Sequence, residues 1–86
     1  MNQPAVVMYA TNWCPYCERV RKMLAARNVT IEEIDVESAP EKRAEMHNRS
    51  GRRSVPQIFI GDHHVGGSDD LLALEAAGKL DGLLGR

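Results

Sequence analysis

The sequence predicts an α/β fold, a mixed four-stranded sheet flanked by helices in the order β-α-β-α-β-β-α. Three observations carry this. A continuous apolar run at 5–9 gives way after Pro15 to helical spacing. A β-branched stretch at 29–36 is again followed by a helical segment. QIFI at 57–60 then turns at Gly61 and Asp62 into a short HHV, which reads as a hairpin. A strand-helix-strand opening implies parallel pairing through a right-handed crossover, and the hairpin adds antiparallel neighbours.

Each element has a local reason. AVVMY at 5–9 has no alternation, as suits a central strand covered on both faces. From Pro15, Cys17, Val20 and Leu24 recur at helical spacing, with Glu18, Arg19, Arg21 and Lys22 on the other side and Asn28 as the stop. In the second strand the adjacent Glu32 and Glu33 interrupt the period of two. Ser38 and Glu41 fit a capping box, Pro40 a first helical turn, and Gly51 the position after a helix end. Ala44 and Met46 make only a thin apolar stripe, so this second helix should be largely exposed. Gly66 and Gly67 break the chain, Ser68, Asp69 and Asp70 suit a helix start, LLALEAA ends at Gly78, and LDGLL is a last short apolar turn. The order matches a thioredoxin-like layout.

Composition bounds the function. Eighty-six residues suffice for one compact domain, 1–86, and 43% hydrophobic with 27% charged residues is ordinary for a soluble globular chain. A net charge of −1 supplies no basic field for a phosphate backbone, and 5% aromatic residues are too few for a base-stacking platform, so nucleic acid is not expected. MNQPAVVMYA has no basic leader and its apolar run is too short for a signal peptide or membrane span, so a cytoplasmic location is expected. In that reducing compartment a CxxC pair is catalytic or metal-binding rather than a structural staple. Tetrahedral zinc wants four ligands, and there is no second CxxC, nor any metal-site spacing among His47, His63 and His64; no metal is expected and the histidines read as surface residues.

The pair is asymmetric. With Pro15 at the first helical position, Cys14 becomes the N-cap, where free N–H groups of Tyr16 and Cys17 and the helix dipole favour a thiolate. Cys17, one turn inside on the apolar side, keeps its proton while staying within disulfide reach. Cys14 should attack and Cys17 resolve. Lowering a thiol from about 8.5 to about 5 raises its thiolate fraction roughly 30-fold at pH 7. A Brønsted slope of about 0.45 removes roughly 40-fold of intrinsic nucleophilicity. The low pKa therefore helps most when Cys14 is the leaving group, and further acceleration requires a substrate site beside it. Trp13 is a candidate for docking partners and Tyr16, exposed at the helix start, for touching substrate.

CPYC at 14–17, SVP at 54–56 and GGSDD at 66–70 occur in the order and spacing of the glutaredoxins of the dithiol class, and the chain resembles that family along essentially its whole length. The resemblance implies a glutathione-dependent thiol-disulfide oxidoreductase acting on protein–glutathione mixed disulfides and protein disulfides through Cys14 and Cys17, with glutathione as reductant and substrate. It implies that Ser54, Val55 and a cis-Pro56 face the dithiol and that the Val55 backbone pairs with the cysteinyl part of glutathione. It implies that Gly67, Asp69 and Asp70 receive the γ-glutamyl end. The family usually has a lysine three residues before the first cysteine, where Thr11 stands here. Arg43, at a glutathione-contacting position of the second helix, and Arg53, beside SVP, are candidates to replace its charge. Expected partners are glutathione and glutathionylated or disulfide-containing proteins, ribonucleotide reductase among them, for a monomeric protein. Competing readings are a donor recharged by thioredoxin reductase, a [2Fe-2S] carrier bridged by Cys14 and glutathione, and a pure interaction module.

Overall fold

The computed structural model describes residues 4–86; residues 1–3, part of the opening stretch read for a leader, lie outside the described residues. The elements are β1 (Val6–Ala10), α1 (Pro15–Ala26), β2 (Ile31–Asp35), α2 (Pro40–Ser50), β3 (Gln57–Ile60), β4 (His63–Gly66), α3 (Ser68–Ala76) and a one-turn α4 (Leu80–Leu83). The sheet runs β2-β1-β3-β4, with β1 parallel to β2, antiparallel to β3, and β3 antiparallel to β4. This is the mixed, thioredoxin-like sheet that the element order predicts.

β1 is central and both its faces are covered, which is why its sequence does not alternate. Val6, Met8 and Ala10 pack with Cys17, Val20 and Leu24 of α1, Ile58 and Ile60 of β3, and Leu71, Leu80 and Leu84 beyond. Tyr9 faces the other way and packs with Val36, Met46 and Phe59. Met46 is the one buried residue of α2, as its thin stripe foretells. The Tyr9 hydroxyl is satisfied there, donating to the Glu45 carboxylate and accepting from Arg49 Nη1 at 2.8 Å.

β2 is an edge strand, and its exposed Glu32, Glu33 and Asp35 belong there. It begins at Ile31 rather than 29 because the stop of α1 uses the intervening residues. Asn28 is left-handed at φ 59°, and the Val29 N–H returns to the Leu24 carbonyl at 3.0 Å.

Two local expectations are corrected. Ser38 does not cap α2, whose N-cap is Ala39. Asp35 captures Ser38 instead, its Oδ2 accepting from Ser38 Oγ at 2.8 Å while Oδ1 accepts the Glu37 N–H at 2.8 Å, an Asx turn completed before the helix starts. The histidines are not all at the surface either. His63 is exposed, but His47 and His64 are half-buried. His64 lies against the Phe59 ring, 4.8 Å between centroids and 29° between planes, on the sheet face that α2 only partly covers.

Candidate active site

The antiparallel register Tyr9↔Gln57 sets the end of β1 beside the start of β3. The loop leaving β1 carries Cys14, and the loop entering β3 carries Ser54 and Val55, so residues 41 apart in sequence meet at one end of the sheet. Cys14 occupies the N-cap of α1 in extended conformation (φ −93°, ψ 115°), with Pro15 at the start of the helix. Both cysteines are free thiols. The Cys14 thiol does not turn to the helix N–H groups. It donates to the Val55 carbonyl at 3.8 Å, and no side-chain hydrogen bond caps the helix start.

Cys17 is fully buried one turn further on. Burial pushes its thiol up to about 11; contact with the Cys14 sulfur adds to the rise, and a hydrogen bond with the Thr11 backbone opposes it. Cys17 is thus a protonated thiol held against Cys14, the arrangement a resolving cysteine needs.

Next to Cys14 a groove of about 210 Å³ brings together three separate stretches of chain. Tyr16 closes one side, Ser54, Val55 and Pro56 form the floor, and Gly67, Asp69 and Asp70 form the far end. The Val55–Pro56 peptide bond is cis. Trp13 stands outside the groove, 87% exposed, beside the reactive sulfur.

Two lining residues escaped the sequence reading. Arg52 lies in the GRR run whose sequence points to Arg53, and Ser68 reads in the sequence only as a helix-start residue. Arg52 Nη1 donates to Asp70 Oδ2 at 2.8 Å, tying the loop before β3 to the first turn of α3. The same oxygen accepts the Gly67 N–H at 2.8 Å. The Gly67 N–H, then Arg52, hold the Asp70 carboxyl below the usual carboxylate range. Asp69 is exposed. Ser68 is 5% exposed and its hydroxyl has no partner among the described residues.

Arg43 and Arg53 do meet, but in a neighbouring hollow of about 410 Å³ shared with Pro40, Ala44 and His47, and neither lines the groove itself. Thr11 sits half-buried by a third, smaller hollow, its carbonyl accepting from Arg21 Nη2 at 3.2 Å.

Comparison with known proteins gives one answer at the level of sequence and of fold. The glutaredoxin family model matches residues 6–65. A glutaredoxin of Pseudomonas aeruginosa is 54% identical over 81 residues, covering 94% of this chain and 96% of its own. The solution structure of a glutaredoxin from Brucella melitensis superposes with a TM-score of 0.85 at 52% identity, covering 98% of this chain and 91% of the other. A buckwheat glutaredoxin in complex with glutathione superposes equally well, TM-score 0.85 at 29% identity, over 95% of this chain and 76% of its own. A family model spanning more than half the residues, and relatives this similar over nearly their full length, settle the kinship that CPYC, SVP and GGSDD suggest: the chain belongs to the glutaredoxin family.

Proposed function

We propose that this chain is a glutathione-dependent thiol-disulfide oxidoreductase that reduces protein–glutathione mixed disulfides and protein disulfides. The observation that carries the reading is the pairing of the Cys14 thiol with the Val55 carbonyl at the mouth of a groove, with the protonated Cys17 directly behind it. A groove built beside the sulfur also argues against a donor served only by thioredoxin reductase.

Cys14, deprotonated, attacks the glutathione sulfur of a protein–S–SG disulfide. The protein thiolate leaves and takes up a proton, and Cys14 carries the glutathionyl group. Attack by a second glutathione thiolate on that sulfur forms glutathione disulfide and returns Cys14 as the leaving thiolate. Cys17 is not needed for this cycle. On a protein disulfide, Cys14 forms the mixed disulfide and Cys17, on losing its proton, displaces the substrate thiolate; two glutathiones then reduce the Cys14–Cys17 bond.

Chemistry supports a definite orientation in the groove. The Val55 backbone, beside Cys14, suits the cysteinyl amides of glutathione, and Ser54 and Pro56 shape that floor. Free N–H groups at the start of α3, by Gly67, suit the γ-glutamyl carboxylate, and the exposed Asp69 its ammonium. Asp70, already holding Arg52 and the Gly67 N–H, braces this end. Tyr16 packs on the ligand from α1. Arg43 and Arg53 in the adjacent hollow supply the charge for the glycyl carboxylate that Thr11 lacks. The protein acts as a monomer in the cytoplasm on glutathionylated and disulfide-bonded proteins, with ribonucleotide reductase as one candidate. Among the described residues no helix is long and apolar enough to cross a membrane.

The test is turnover of a small glutathione mixed disulfide with glutathione, glutathione reductase and NADPH. Robust turnover abolished by Cys14→Ser is expected; no turnover from the intact dithiol would overturn the reading.

A further inference from the structure

Gln57, the residue after cis-Pro56 and the first of β3, is a polar amide with no exposed surface. Its Nε2 donates to the Ser54 carbonyl at 3.0 Å and reaches Ser54 Oγ at 3.3 Å. A carbonyl oxygen only accepts, so the amide nitrogen must face Ser54 and the amide oxygen must face the other way. There Gln57 Oε1 lies 2.8 Å from His64 Nε2. That imidazole nitrogen must therefore be the donor, and with burial lowering the His64 pKa the neutral ring carries its proton on Nε2. The ring is itself oriented by its stack on Phe59.

We propose that Gln57 and His64 are positioning residues for the groove: His64 aims the Gln57 amide, and that amide clamps the Ser54–Val55 segment whose backbone receives the substrate. The clamp closes a turn from residue 54 to residue 57, with Val55 and Pro56 as its two inner residues, and the Val55 carbonyl is the group that meets the Cys14 thiol. Neither residue lines the groove, so both act through the loop. This inference rests on the reading of the groove as the glutathione site.

Three measurements test it. In the wild-type protein, long-range proton-nitrogen correlation spectra should show the His64 proton on Nε2; a proton on Nδ1 would overturn the proposal. Gln57→Glu keeps the side-chain shape but removes the donor to Ser54, and His64→Phe keeps the stack on Phe59 but removes the donor to Gln57. Each should raise KM for a glutathione mixed disulfide about tenfold, the scale of one lost hydrogen bond, with kcat within about twofold. A drop in melting temperature with KM unchanged would reduce the pair to a structural role and sink the idea. Titration of the wild type with glutathione, followed at the Ser54 and Val55 amides, separates the two claims. Shifts there that weaken about tenfold in His64→Phe support the clamp even if turnover is absent, and equal affinities in both proteins overturn it.

Discussion

Arg52 Nη1 and Asp70 Oδ2 meet at 2.8 Å across the far end of the groove, joining two segments 18 residues apart. Both side chains are about half exposed, so the pair is screened and contributes within about 1 kcal/mol to stability. Arg52→Ala should therefore change the unfolding free energy by less than about 1 kcal/mol in urea melts. Its larger effect should fall on KM for glutathione substrates, which should rise severalfold as the loop loses its tie to α3. A variant with wild-type KM would leave the pair without a role in binding.

The same carboxylate gives a pH signature. The folded-state pKa of Asp70 is depressed, by the Gly67 N–H first and then by Arg52. The stabilisation is thus fully present above the unfolded value of about 3.9 and is lost as pH falls through the lower folded value. Asp70→Asn should flatten the fall in stability below about pH 4 relative to wild type. Parallel curves in urea unfolding between neutral and acidic pH would contradict this.

Gly66 allows that geometry. Its φ is 115°, and a Cβ there would fall 2.8 Å from Asp70 Cγ and 3.1 Å from Arg52 Nη1. Gly66→Ala combines left-handed strain with displacement of a carboxylate already bound to Gly67. It should cost about 2 kcal/mol, or roughly 10 °C in melting temperature. An unchanged melting curve would show that the α3 start relaxes freely.

The two thiols should differ in reactivity. At a pKa of about 11, Cys17 is roughly one part in a thousand thiolate at pH 8, and it is buried as well. Brief iodoacetamide treatment of the reduced protein at that pH should label Cys14 alone, with double labelling only under strongly alkaline or denaturing conditions. Peptide mapping by mass spectrometry reads this directly, and comparable labelling of both would refute the asymmetry. In the same way, Cys17→Ser should retain reduction of glutathione mixed disulfides and lose reduction of protein disulfides.

Arg43 and Arg53 share a hollow beside the groove. If they replace the family's lysine, Arg43→Ala and Arg53→Ala should each raise the Michaelis constant for glutathione severalfold, with weaker effects at high salt as screening grows. Wild-type constants in both would end that idea.

The three motifs were legible because each encodes its own backbone: a Cys-Pro helix start, a Val-Pro turn and a Gly-Gly break before acidic helix-start residues. Arg52 was not, since GRR offers adjacent arginines and the choice between them depends on how the chain leaves the left-handed Gly51, at φ 73°. The burial of His64 was hidden for a similar reason. The β3–β4 ladder has an irregularity between Ile58 and Phe59, and one shifted residue decides which face of the sheet a side chain takes. Asp35 outcompeting Ser38 as the local hydrogen-bonding partner is likewise a contest between neighbours that spacing alone does not resolve.

The register of β1 against β3 has a consequence for folding. Cys14 and Cys17 lie in the N-terminal part of the chain, and the contact of Cys14 with Val55, 41 residues further on, waits until the third strand pairs with the first. Until then the dithiol is a reagent without a selector. Selectivity begins only with closure of the sheet.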